Sequence, residues 1–257
     1  MSPAFKVVKL PVRAEGGYYE IKHKKSYAAS PIKDAETMRA MRAALADSGK
    51  YSARNLAIFD LGVASGRRCG DILRLCVFNV WDDISGVKEK VEYYDQKTRT
   101  YKKFFLNEKA RERLAQYLNK CGAVKDGKRV WSLSAFLFPS RKKVEKNQKH
   151  ASYRKDGTLG NAPLTQPAGA METKAYSKIL KKAARDHGVT GIEHLSTHTM
   201  RKTFGYKGFR EYDADFVSVA LGHANTSVTR RYLGIDDEYL KDKFDGMDVI
   251  GDDGDKE

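Results

Sequence analysis

The sequence predicts a mainly α-helical fold with one small antiparallel β-sheet, an α+β class. Apolar residues recur at three- and four-residue spacing over most of the chain, as amphipathic helices require. One stretch, VKEKVEYYDQKTRTYKKFFL, instead has two β-rich halves about a polar turn, the pattern of a hairpin. With 257 residues, 41% of them hydrophobic, the chain can bury a sizeable core without disulfides.

The elements follow in order. Residues 1–29 hold Pro11, Gly16, Gly17 and a strand-like YYEIKHKK, an arm or small hairpin too short for a domain. Helical patterning starts after Ser30, with Pro31 at a first helical position and Asp34 as a start signal. Met38, Met41 and Leu45 share its face, and Gly49 stops it. A second helix covers about 53–64, with Leu56, Ile58, Phe59 and Val63 inward and Gly66 past its end. A short helix carries 68–75, and the hairpin region spans 77–106. Asn107 caps the next helix, which places Ala110, Leu114 and Leu118 on one face and Gly122 after its end. Residues 122–140 read as a loop with an apolar knot, WSLSAFLF. Residues 141–169 read as a long, basic, mobile connection. Helices resume at about 172–186, 199–211, 213–221, 226–232 and 237–244. No internal repeat is present. The expected organisation is an arm (1–29), one domain (30–246) and an acidic tail (247–257), with no separate second domain evident.

Charge narrows the function. A formal net charge of +15 attracts polyanions, and nucleic acid is the default candidate for a partner. The segment RKKVEKNQKHASYRK concentrates that charge, while the tail GDDGDKE opposes it. No apolar run approaches the ~20 residues of a membrane span, and the N-terminus has no signal-peptide apolar block. A protein that stays in the cytoplasm, or in whichever compartment holds its partner, with no membrane partner, is expected. The three cysteines, Cys69, Cys76 and Cys121, form no CxxC pair and suggest neither a disulfide frame nor a zinc site.

Four separated stretches need one explanation. GVASGRRCGDILRL sets Arg68 and Asp71 one helical turn apart, so that the carboxylate can brace the guanidinium. YYDQKTRTYKK puts Lys97 at the hairpin turn. LSTHTMRKTFGY sets His198 and Arg201 on one helix face. LGHANTSVTRRYLG carries His223 and Tyr232 on either side of a short polar helix that Asn225 caps. Taken singly, each residue has a plain alternative: a surface ion pair, a turn lysine, a helix-start histidine, a core tyrosine. Taken together they suit phosphodiester chemistry. Two guanidinium groups can clamp non-bridging oxygens and neutralise developing charge. A tyrosine hydroxyl can attack phosphorus, and a lysine or histidine can protonate the departing oxygen. The sequence has no HExxH or Cys/His metal cluster and no phosphate-binding loop. No metal and no cofactor are expected.

These stretches resemble the phage integrase, or tyrosine recombinase, family over about residues 30–245, in its arginine box, its hairpin lysine, H-x-x-R and L-G-H-x-x-x-x-x-T-x-x-Y. The resemblance implies the integrase-type catalytic domain fold, and a site-specific recombinase that joins strands through a 3′-phosphotyrosine. It implies that Arg68 and Arg201 bind the scissile phosphate, with Asp71 in support. Lys97 would be the general acid, His198 and His223 would assist, and Tyr232 would be the nucleophile. Arg67 stands where the family usually carries an apolar residue. The spacing to Asp71 favours Arg68, with Arg67 the alternative for the first arginine role. DNA contacts are expected from Arg67, Arg141, Lys142, Lys143, Lys146, Lys149, Arg154, Lys155, Lys202, Arg230 and Arg231. The partners implied are further copies of the chain, a tetramer on DNA, and an accessory DNA-bending or directionality protein. A C-terminal helix with Tyr239, Leu240 and Phe244 on one face would dock on a neighbouring subunit or pack on its own domain. Two other readings are a type IB topoisomerase-like relaxing enzyme and a non-catalytic DNA-binding regulator on the same scaffold.

Overall fold

Asp34, not Pro31, starts the first helix. Its side chain accepts the Thr37 N–H, and α1 runs Ala35–Ala46. Pro31 lies outside because the preceding segment is held in another way: the Ile32 N–H donates to Thr203 Oγ1 at 2.9 Å. The computed structural model describes residues 29–95, 97–143, 152–153, 159–160 and 168–223, with Thr226 and Thr229. The arm and the expected helix at 237–244 lie outside the described residues.

The next helix, α2 (Ser52–Ser65), is the centre of the core, with Ile58 and Phe59 fully buried. It ends where Gly66 takes a left-handed conformation, φ 65°, as its C-cap. Two short turns follow, α3 (Cys69–Ile72) and α4 (Val77–Val80). The stretch at 77–80 is therefore helical rather than extended. Asn79 explains the difference, since its Oδ1 accepts the Cys76 N–H at 2.7 Å and closes the turn.

The single expected sheet is a set of two-stranded antiparallel pairs among the described residues. Strands β1 (Trp81–Asp82) and β2 (Gly86–Val87) form one pair. Strands β3 (Lys90–Asp95) and β4 (Thr100–Phe105) form the predicted hairpin, with Asp95 opposite Thr100. Its inner face carries Val91, Tyr93 and Phe104 into the core.

Asn107 caps α5 (Glu108–Lys120) as expected, its side chain accepting the Ala110 N–H. The stretch 122–140 is not a plain loop. It forms the pair β5 (Val124–Lys125) and β6 (Lys128–Arg129), and then buries Ala135, Phe136, Leu137 and Phe138. The basic connection is likewise paired where it is described. Strand β7 (Pro139–Lys143) joins β10 (Ala168–Ala170) at its base, and β8 (Ser152–Tyr153) joins β9 (Leu159–Gly160) within it.

Three helices complete the described chain: α6 (Thr173–Asp186), α7 (Thr197–Glu211) and α8 (Ala214–Leu221). Buried Tyr176 ties α6 to α2 by donating to the Asn55 carbonyl at 3.0 Å. Met200 of α7 packs over α2 at Gly62, where a Cβ would meet the Met200 sulfur. The start of α3, the β3–β4 turn, the first half of α7 and the end of α8 thereby come to one surface. Cys69 and Cys76 are buried, and burial pushes both thiols up to about 12. They are inert core residues, as the sequence suggested. No helix among the described residues is long and apolar enough to cross a membrane.

Candidate active site

The αL turn at Gly66 decides where two adjacent arginines go. Arg67 turns inward and is only 3% exposed. Its Nε donates to the Ser65 carbonyl at 3.1 Å, and one terminal nitrogen donates to the Tyr93 hydroxyl at 3.2 Å. The other terminal nitrogen donates to the Ala220 carbonyl. All three acceptors are protein groups, so Arg67 ties the end of α2 to β3 and α8. Arg68 turns outward from the N-cap of α3, with its side chain 27% exposed.

Asp71 stands 4.0 Å from the Arg68 guanidinium, in the spacing that the sequence suggested. A closer acid was not foreseen. Asp95 Oδ2 accepts from Arg68 at 2.8 Å and lies 3.2 Å from Lys102 Nζ. Its other oxygen accepts the N–H groups of Lys97 and Thr98 at 2.9 and 3.0 Å. Burial works to raise the Asp95 pKa, but the Thr98 N–H, Lys102 and Arg68 outweigh it and hold the carboxyl well below the usual range. Lys97 itself is exposed on the turn.

The second arginine sits deep in α7. Arg201 is 4% exposed. It donates to the Gly66 carbonyl at 2.8 Å, to the Leu221 carbonyl at 3.0 Å, and across 3.1 Å to His223 Nε2. It thus joins the ends of α2 and α8, with His223 just past the Gly222 cap. Burial first, then Arg201, Arg68, Arg67 and Lys102, push the His223 pKa down to about 4. The ring is neutral at pH 7. With Nε2 accepting from a guanidinium, the proton belongs on Nδ1, which faces Thr229 Oγ1 at 2.8 Å. Thr229 is fully buried, three residues before Tyr232. It was not singled out in the sequence, although its place in T-x-x-Y was the available signal.

His198 is exposed in the first turn of α7, its N–H taken by the Ser196 cap. Burial, then Arg201, Arg68, Lys202 and Lys97, lower its pKa. All four cations thus act on the one imidazole. Lys202 is partly buried, and burial lowers its own pKa. Of the expected site residues, Arg68, Asp71, Lys97, His198, Arg201 and His223 come together. Tyr232, Lys146, Lys149, Arg154, Lys155, Arg230 and Arg231 lie outside the described residues, as do the side chains of Arg141, Lys142 and Lys143. Among the described residues, no group of three His, Cys, Asp or Glu is placed to hold a metal ion.

The family model described as "Phage integrase family" matches residues 32–238. The chain belongs to the phage integrase family. A probable integrase/recombinase, YoeC of Bacillus subtilis (strain 168), is 27% identical over 209 residues, which cover 81% of this chain and 91% of YoeC. The fold is that of tyrosine recombinase catalytic domains. The crystal structure of XerA recombinase superposes with a TM-score of 0.57 at 18% identity, over 88% of this chain and 66% of that one. XerH site-specific recombinase, bound to its palindromic difH substrate, gives 0.55 at 17% identity, over 83% of this chain and 52% of that one. A lambda integrase tetramer bound to a Holliday junction gives 0.52 at 15% identity, over 81% and 49%. The chain thus spans about half to two-thirds of the length of these solved integrases and recombinases.

Proposed function

We propose that this protein is a site-specific DNA recombinase that cuts and rejoins strands through a covalent 3′-phosphotyrosine. The observation that carries the reading is the convergence of Arg68, Arg201 and two imidazoles of lowered pKa on one surface. In this reading the two guanidinium groups neutralise the non-bridging oxygens of the scissile phosphate, where charge builds in the transition state. The Tyr232 hydroxyl attacks phosphorus and forms the phosphotyrosine bond. The bond from phosphorus to the 5′ oxygen breaks, and that oxygen takes a proton from Lys97. His198, neutral above its lowered pKa, accepts the tyrosine proton. His223 has both ring nitrogens engaged, so it orients Arg201 rather than carrying charge to the phosphate. Attack by a second strand's 5′ hydroxyl reverses each step, and the phosphodiester energy is conserved.

Double-stranded DNA is the substrate, and the working form is a homo-oligomer. The DNA-bound recombinases of similar fold and the +15 net charge support this. The test is covalent trapping. The protein is incubated with nicked duplexes tiled across the DNA flanking its own gene, then quenched with detergent. A protein–DNA adduct from the wild type and none from Tyr232→Phe is expected. An adduct from both would overturn the assignment of the nucleophile, and none from either, with DNA bound, would overturn the activity.

A further inference from the structure

We propose that Asp95 is a positioning residue for strand cleavage, one whose buried carboxylate sets the Lys97 turn in register with Arg68. The inference rests on the reading of Lys97 as the acid that protonates the leaving oxygen. A carboxylate side chain 1% exposed is costly to bury unless it is fully engaged. Asp95 is engaged on two sides that belong to different elements. One oxygen takes the backbone N–H groups of Lys97 and Thr98, which shapes the β3–β4 turn. The other takes Arg68 at 2.8 Å and pairs with Lys102 at 3.2 Å. Lys102 in turn reaches the end of α8, where its Nζ would lie 3.4 Å from a Cβ placed on Gly222. The hairpin is thus pinned to the arginine at the start of α3 through a single side chain. An aspartate needed only for the turn would use one oxygen and leave the other to solvent.

Asp95→Asn separates the two roles. The amide keeps an oxygen acceptor for the turn and directs an NH2 donor toward Arg68 and Lys102. Single-turnover adduct formation by Asp95→Asn is expected to fall about 10- to 100-fold, the cost of a misplacement on the order of 1 Å, with DNA binding and folding retained. The second readout uses DNA with sulfur in place of the scissile 5′ oxygen. A thiolate leaves without a proton, because its conjugate acid has a pKa of only ~8.5. Lys97→Ala is expected to recover on the sulfur substrate, and Asp95→Asn should recover with it. Wild-type rates for Asp95→Asn would overturn the proposal. So would a loss equal on both substrates while Lys97→Ala recovers, because that pattern marks a purely structural role. Failure of Lys97→Ala to recover, or absence of a wild-type adduct, would instead overturn the underlying reading. If Asp95→Asn does not fold, Asp95→Glu keeps the charge, displaces it by one methylene and supports the same comparison.

Discussion

Arg67 and Arg68 are neighbours with the same side chain, yet one is committed to protein and the other is held at the site. The difference predicts opposite phenotypes. Arg67→Ala leaves the Ser65 and Ala220 carbonyls and the Tyr93 hydroxyl short of a buried donor. Each such group costs about 1–3 kcal/mol, so this variant should melt well below the wild type. Arg68→Ala takes one partner from buried Asp95, which keeps Lys102 and two backbone N–H groups, so it should lose less stability than Arg67→Ala and form no adduct. Thermal melting and covalent trapping on both variants check this, and a stable but inactive Arg67→Ala would exchange the two roles. His223 gives a pH dependence at the same scale. Its folded-state pKa of about 4 lies below the ordinary 6.5. Between those values the unfolded chain binds the extra proton, so stability rises with pH across that window. The stabilisation is complete above about pH 6.5 and is lost as pH falls toward about 4. Urea midpoints of the wild type at pH 7 and pH 5 should differ by more than those of His223→Gln, which does not titrate.

At the scale of elements, the site depends on how α2 stops. Gly66 holds φ 65°, and a Cβ there would come within 2.6 Å of Phe204 and 2.8 Å of Leu221. The same residue's carbonyl receives Arg201. Gly66→Ala therefore strains the backbone and pushes α7 and α8 away from the arginine that joins them. A cost of about 1–3 kcal/mol from the backbone alone should appear as a lower melting temperature, together with weaker cleavage. Unchanged melting and cleavage would show that the turn relaxes freely. This scale also shows what the sequence can reveal. The helices were legible because their apolar spacing is local, as Met41 and Leu45 in α1 illustrate. The hairpin was legible because its period is two. The helical turn at Val77–Val80 was not, because three apolar residues about one asparagine are too few to distinguish a strand from a turn. Asp95 was not legible either. Its importance comes from Arg68, 27 positions away in sequence, and such pairing leaves no local pattern.

At the scale of the molecule, helices packed around α2 bring the start of α3, the β3–β4 turn, α7 and the end of α8 to one basic surface. The motifs pointed to Arg68, Asp71, Lys97, His198, Arg201 and His223, and packing decided how they are oriented and added Asp95. The central claim is that this cationic surface supports attack by Tyr232 on a DNA phosphate without a metal ion. The most direct measurement is peptide mapping of the trapped adduct, formed in the presence of a chelator. The account predicts a nucleotide attached through its 3′ phosphate to Tyr232, within the tryptic peptide 232–241. A modification on Tyr239 or outside that peptide, attachment through a 5′ phosphate, or an adduct abolished by the chelator would contradict it.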